Sequence, residues 1–231
     1  CILSFIVYIF NDLLDFEKDL LHPQKKYRPI PSGKISRLFA TYFLIFWLVL
    51  FFLVIYNFSD ILLFSILYLV LNFAYSIYLK KFVIFDIFTI SLMYCLRVGA
   101  GAQAISVDLS TWMILTIFFS SLYLIIVKRM IEKRNFSVSR SVLNDYNDNT
   151  LKTFSIITAI SSINFYCFYV VLVNEALIYS IPFIVFGFFR YYYLIDTNKI
   201  DESPIENIFD DKILVLIILL WFLSVLRALY F

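Results

Sequence analysis

LFATYFLIFWLVLFFLVIYN, Leu38 to Asn57, runs for twenty residues without a charge. A helix rising about 1.5 Å per residue needs about 20 such residues to cross the hydrocarbon core of a bilayer, so this stretch reads as a transmembrane helix. Working outward, apolar runs of comparable length fall at 61–79, 83–104, 111–128, 153–173, 177–195 and 213–231, and a partial run, Cys1 to Phe10, opens the chain. Together they make eight spans. Lipid offers no partner to backbone N–H and C=O groups, and the runs are too long for barrel strands. The fold class is therefore all-α, a polytopic transmembrane helical bundle. Composition agrees. Of the 231 residues 62% are hydrophobic and 16% charged, against about 45–50% and about 25% in soluble domains. There is no soluble segment, low-complexity tract or internal repeat, so residues 1–231 read as a single transmembrane domain. No charged n-region precedes the opening run, so we do not expect it to be a signal peptide. We expect its helix to begin before Cys1, so that the chain lacks its N-terminal helix.

Charge placement tests this layout independently. If the spans alternate, the connections 11–37, 80–82, 128–152 and 190–212 share one side. They hold six, two, six and three of the nineteen Lys and Arg, while those around 58–60, 105–110 and 174–176 hold none. The positive-inside rule puts the basic group in the cytoplasm. Arg97 and Arg227 lie within apolar runs. A net charge of +2 with no basic tail gives no reason to expect nucleic acid. Cys1, Cys95 and Cys167 stand apart in apolar segments and read as packing residues.

The first span ends in NDLLDFEKD, Asn11 to Asp19. On a helix Asn11, Asp15 and Asp19 repeat at i, i+4 and i+8, with Asp12 beside Asp15. Carboxylates packed this closely repel, and a divalent cation resolves the conflict. Magnesium takes oxygen ligands and commonly joins one or two carboxylates to substrate phosphates, so Asn11, Asp12, Asp15 and Asp19 are the candidate ligands. A solvated helix end of mixed charge is the alternative, and Glu17 and Lys18 fit it, pointing elsewhere.

DLLHPQKKYRPIPSGKIS, Asp19 to Ser36, follows at once. Pro23, Pro29 and Pro31 break the helix, and Gly33 permits a turn with positive φ. Lys25, Lys26 and Arg28 are thereby held on a stiff loop beside the carboxylates, an arrangement suited to a diphosphate. Positive-inside charge alone accounts for Lys25 and Lys34. His22, the single histidine, reads as a structural or phosphate-contacting residue rather than a catalytic one.

The full pattern, N-D-x-x-D-x-x-x-D-x-x-H-P-x-K-x-x-R-P-I-x-x-G, resembles the first aspartate-rich motif of the UbiA superfamily of intramembrane prenyltransferases. Within it, the pattern is most similar to the decaprenyl-phosphate phosphoribosyltransferase branch, also called decaprenylphosphoryl-5-phosphoribose synthase. The likeness continues through Asp86–Trp112, Val127–Arg134, the R-x-x-L-x-x-Y pattern of Arg140, Leu143 and Tyr146, and Phe186–Leu194. It covers essentially the whole chain. The resemblance implies a nine-helix family fold, one transmembrane catalytic domain and a Mg2+ cofactor. It also implies Asp12, Asp15 and Asp19 at the catalytic centre, and phosphate or substrate contacts from Lys26, Arg28, Lys128, Arg129 and Tyr146. One departure stands out: where many relatives carry a second aspartate motif, this chain reads RSVLNDYNDNTLKTF, with Asp145 and Asp148 flanking Tyr146.

Two further features stand on the residues alone. Arg97 is eleven residues beyond Asp86 on one helix face, about 16 Å deeper at about 1.5 Å per residue. An intramembrane charge is costly and marks a functional site by default, so Arg97 is a candidate substrate contact, with an interhelix bond as the structural alternative. Gly99 and Gly101 read as sites of close helix packing. Lys128 and Arg129 read as the end of a span, where cations also favour the helix dipole.

The expected function is transfer of 5-phosphoribose from phosphoribosyl pyrophosphate to a polyprenyl phosphate, for cell-envelope glycan synthesis. The protein is expected to be multi-pass in the plasma or inner membrane, with its active site facing the cytoplasm. The alternatives are a prenyl diphosphate transferase acting on an aromatic or lipid acceptor and, from another class, a transporter or flippase.

Overall fold

A computed structural model describes residues 2–21, 25–56, 58–135, 141–197 and 210–230. Among these there are nine α-helices and no strand: α1 (Ile2–Leu14), α2 (Phe16–Leu21), α3 (Arg37–Ile55), α4 (Ser59–Ile77), α5 (Phe85–Ala104), α6 (Thr111–Asn135), α7 (Asp148–Val173), α8 (Ile181–Asp196) and α9 (Lys212–Tyr230). Seven helical segments, from Arg37–Ile55 to Lys212–Tyr230, are long and apolar enough to cross a membrane, and Ile2–Leu14 is a shorter apolar helix. The protein is a multi-pass membrane protein.

Local chemistry sets the helix starts. Ser36 caps α3 by accepting the Phe39 N–H at 3.2 Å, and Asn147 caps α7 through the Asn149 N–H at 3.1 Å; such caps stabilise by about 1 kcal/mol. The expected end of the fourth full span is corrected. Lys128 and Arg129 do not end the helix, because α6 runs on to Asn135. Lys, Arg, Met and Glu are strong helix formers, so the apolar run stops before the helix does. Lys133 and Arg134 take the last-turn positions.

The chain divides into two compact units. The first comprises residues 1–89 and 96–108. In it α1 packs on α3 and α4 through Ile6, Ile9, Ala40, Leu44 and Leu69, and Ile30 from the loop joins the same cluster. The rings of Phe10 and Phe73 lie 4.5 Å apart. Between lipid-embedded helices such contacts hold by van der Waals fit. A Cβ on Gly99 would stand 2.7 Å from Cε1 of Phe64, so α5 approaches α4 closely there, as expected. Gly101 has nothing within 4 Å of that position, which corrects the expected packing role for it.

The second unit comprises residues 90–95 and 109–231. Helix α7 buries Leu151, Ser155, Thr158, Ser162, Tyr166 and Val170, a stripe at helical spacing. Ser162 meets Ser120 of α6 at 2.6 Å. Tyr123, Val127 and Ile131 of α6 pack with Tyr191 and Leu194 of α8 and Leu214 of α9. Arg190 of α8 grips Asp211 through Nε at 3.2 Å and Nη2 at 2.7 Å. Asp211 in turn accepts the Leu214 N–H at 2.7 Å, which makes it the cap of α9.

Candidate active site

The acidic segment spans the junction of α1 and α2. A bend at Asp15 separates the two helices, yet the Asp15 N–H still reaches the Asn11 carbonyl at 2.9 Å, and the Asp19 N–H reaches that of Asp15 at 2.8 Å. The i to i+4 progression expected of Asn11, Asp15 and Asp19 thus survives the break. Glu17 and Lys18 are exposed, as expected of residues outside the motif.

The loop that follows is a built element. Lys25–Tyr27 form a 3-10 turn, Ser32 N–H bonds to the Arg28 carbonyl at 2.9 Å, and Ile35 N–H bonds to that of Pro29 at 3.0 Å. Gly33 has φ of 76°, the left-handed backbone its position called for. Ile30 is buried with α1, α3 and α4. Arg37 lies 3.4 Å over the Phe16 ring, tying the loop's far end back to α2. His22 and Pro23 lie outside the described residues.

Held by this loop, Arg28 reaches two carboxylates with one nitrogen. Its Nη1 donates to Asp12 Oδ1 at 2.7 Å and to Asp19 Oδ2 at 2.9 Å. The two oxygens can be no further apart than those two bonds laid end to end. Asp15 turns to a different cation: Lys80 Nζ stands 2.6 Å and 2.7 Å from its two oxygens. Lys80 sits in the 3-10 turn Leu79–Lys81 between α4 and α5, ahead of Ile84, whose φ of 72° is strained for a β-branched residue. Asp12 lies just beyond the apolar run of α1. Burial, above all, lifts its carboxyl above the usual carboxylate value; Arg28 opposes this, and Asp19 and Asp15 add to it.

Of the four candidate ligands, then, the structure groups Asp12 with Asp19 and directs Asp15 to Lys80. Among the described residues no three His, Cys, Asp or Glu side chains form a closed metal cage. The Asp12–Asp19 pair nevertheless fits magnesium, which commonly binds through one or two carboxylates while phosphate oxygens and waters complete its octahedron.

The remaining candidates are placed as follows. Lys26 is exposed, with its ammonium 5.1 Å from the Tyr27 ring centre. Arg97 is exposed on α5, whereas Asp86 on the same helix is fully buried. In the second unit Lys128 is exposed, and Arg129, only 2% exposed, donates to Glu132 at 2.6 Å. Tyr146 is buried, and its carbonyl accepts from Lys133 Nζ at 2.6 Å. Lys133 also pairs with Asp148 at 2.7 Å. Leu143 is buried, and Arg140 lies outside the described residues. Lys80 is the participant that sequence reading missed. Its one signal was the pair of lysines in the shortest basic connection, counted there only as topological charge.

The profile of the UbiA prenyltransferase family matches residues 1–209. The chain belongs to the UbiA prenyltransferase family. Among similar UbiA proteins is the decaprenyl-phosphate phosphoribosyltransferase of Mycolicibacterium smegmatis, 26% identical over 249 aligned residues that take in 100% of this chain and 78% of the relative. The protein of the same name from Corynebacterium glutamicum is 25% identical, covering 100% of this chain and 73% of its own. That of Mycobacterium tuberculosis strain H37Rv is 29% identical over 63% of this chain and 50% of its own. This UbiA chain is accordingly a membrane transferase, with the acidic segment of α1 and α2 as its candidate active site.

Proposed function

We propose that the protein transfers 5-phosphoribose from phosphoribosyl pyrophosphate to a polyprenyl phosphate, releasing pyrophosphate, in a Mg2+-dependent reaction. The observation that carries this reading is the alternation of charge in the first unit, where Asp12 and Asp19 share Arg28 and Asp15 faces Lys80. Anionic and cationic side chains interleaved at hydrogen-bonding distance suit a metal-bound diphosphate, which needs both. The names of the relatives support the choice of donor and acceptor.

In this reading Asp12 and Asp19, with Asn11 and Asp15, hold the metal end of the donor, and Lys26 and Arg28 bond its pyrophosphate oxygens. Bound magnesium supplies neutralisation of the charge that gathers on the leaving pyrophosphate. The bond from ribose C1 to the pyrophosphate oxygen breaks, its electron pair leaving with pyrophosphate, while a lipid phosphate oxygen forms the new bond to C1. That oxygen is already ionised, so no side chain need act as general base. Arg97 contacts substrate, and Lys128, Arg129 and Tyr146 keep the phosphate and substrate roles that the family resemblance implies. Because Arg129 is buried against Glu132, Lys128→Ala is the cleaner test of that assignment. The division of loop cations supports an active site on the cytoplasmic face; in this reading the membrane is the plasma or inner membrane, and the product feeds cell-envelope glycan synthesis.

Membership in a prenyltransferase family favours a second reading, in which the same segment binds a prenyl diphosphate and passes the prenyl group to an aromatic or lipid acceptor. Purified protein given labelled phosphoribosyl pyrophosphate and a polyprenyl phosphate separates the two. A labelled lipid with release of pyrophosphate is expected. Consumption of a prenyl diphosphate with the first donor ignored would establish the second reading instead.

A further inference from the structure

We infer that Lys133 is a positioning residue for the proposed transfer, holding the start of α7 from both sides of its cap so that Tyr146 is presented in one place. The inference rests on the transferase reading and on the substrate role that the family resemblance implies for Tyr146. It begins where α6 outruns its apolar run. The helix continues past Lys128 to Asn135, and this extension is braced on both sides of Lys133. Ile131 is buried in a cluster with residues of α8 and α9, and Arg134 Nη1 donates to the Ile195 carbonyl of α8 at 2.9 Å. Lys133 therefore projects from a fixed base.

From that base its ammonium reaches α7 instead of α8. Lys133 Nζ donates to the Tyr146 carbonyl at 2.6 Å and to Asp148 Oδ1 at 2.7 Å. The residue between these two partners is Asn147, the cap of α7. One side chain thus ties the last turn of α6 to both neighbours of the cap. The segment it meets is itself seated: Val142, Leu143 and Tyr146 are all buried, and the Asp145 N–H bonds to the Val142 carbonyl at 3.3 Å.

The two bonds differ in worth. The Asp148 side chain is 75% exposed, and an ion pair that open to water contributes little. The Tyr146 carbonyl belongs to a buried residue, and a charged donor on such an acceptor makes one of the stronger hydrogen bonds. The main-chain bond is therefore the one that fixes Tyr146. Without it the Tyr146 backbone can shift while Val142 and Leu143 stay seated. Misplacing a substrate-contacting group by about 1 Å costs up to about a hundredfold in rate. A lysine that merely joined two helices would behave differently, lowering stability on removal and leaving the turnover of each folded molecule alone.

The experiment uses the whole chain in lipid nanodiscs. Backbone hydrogen exchange over residues 141–147 is followed by mass spectrometry, and transfer from labelled phosphoribosyl pyrophosphate to a polyprenyl phosphate is measured alongside. Lys133→Met keeps the aliphatic stem and loses the donor. It should speed exchange in that segment by about tenfold or more and lower turnover per folded molecule by about ten- to a hundredfold. Lys133→Arg, which restores a charged donor, should recover most of the turnover. Asp148→Asn, which gives up only the exposed ion pair, should stay within about fivefold of wild type. Tyr146→Phe should lower turnover by itself, and Lys133→Met should add little in that background, since independent effects would multiply. Size-exclusion profiles identify any variant that does not fold, and Lys133→Ala replaces Lys133→Met in that event. Unchanged exchange over 141–147, or losses that multiply, overturns the positioning role. So does a loss of thermal stability with turnover per folded molecule kept. Full turnover in Tyr146→Phe overturns the inference while the proposed reaction stands. If wild type transfers nothing from phosphoribosyl pyrophosphate, the proposed reaction falls, and the exchange result alone decides whether Lys133 holds the segment.

Discussion

The protein holds buried or half-buried carboxylates in two contrasting ways. In the second unit Arg190 meets Asp211 fork to fork, two nitrogens on two oxygens of one carboxylate, and the Leu214 N–H takes up one of those oxygens as well. In the first unit a single Arg28 nitrogen is divided between two carboxylates from different helices. The bidentate pair has the planar complementarity that makes arginine a good structural clamp, and the aspartate is fully used by its neighbours and by the helix it caps. The divided nitrogen draws like charges together and serves neither at its best geometry. One arrangement is a closed pair that also caps a helix; the other leaves one cation shared by two carboxylates, the feature on which the proposed metal–diphosphate site rests. The contrast is between a joint and a candidate site.

If that contrast is right, the largest effect should come from the divided pair. Asp19→Asn is expected to lower turnover by at least about a hundredfold, because an amide is a poor magnesium ligand and metal stabilisation of the leaving charge is a matter of several kcal/mol. The folded protein should survive, as judged by its size-exclusion profile. Turnover within a few-fold of wild type would make Asp19 a second joint. Asp211→Ala should do the opposite. Loss of the cap on α9 should lower stability by about 0.5–2 kcal/mol, read from thermal unfolding in detergent, while activity per folded molecule is kept. A loss of turnover without a loss of stability would break the comparison from the other side.

The smallest effect is on pH dependence. Hydrogen bonding from Arg190, above all, holds the Asp211 carboxyl below its ordinary value of 3.8, with the α9 backbone N–H groups adding to it. A carboxyl depressed in the fold contributes stability above its unfolded value, and that contribution is lost as pH falls through the lower folded value. Asp211→Asn keeps a capping oxygen but cannot titrate. Its stability should sit slightly below wild type at neutral pH, and the gap should close in the acid range below about pH 4. A gap that persists there would mean that the pair owes nothing to charge.

The same contrast explains what the sequence could disclose. The long helices were legible because a bilayer imposes a length and forbids charge, and Leu38–Asn57 displays both demands openly. The acidic segment was legible because its spacing is local, as is the turn at Gly33. Lys80 was not legible as a site residue: it is 65 positions from Asp15, and nothing near it names its partner. Lys128 and Arg129 misled for another reason. An apolar run reports where lipid contact stops, whereas a helix stops only where its backbone loses partners, and residues 128–135 are good helix formers that carry α6 onward. Gly99 and Gly101 look alike in sequence, but a bulky Phe64 faces only the first.

Ile30 carries a consequence for how the molecule can be altered. Its side chain is seated among residues of α1, α3 and α4, while two positions on, Ser32 and Gly33 are exposed at the turn. The loop is therefore pegged at one point and open at the next. Residues spliced in at Gly33 would lengthen a surface tip, and a fluorophore there would ride beside the acidic segment while leaving it in register. The same residues spliced in one turn earlier would unseat the peg and carry Arg28 away from both aspartates. A graded set of such insertions would measure how much of the site's geometry is inherited from the membrane-embedded core.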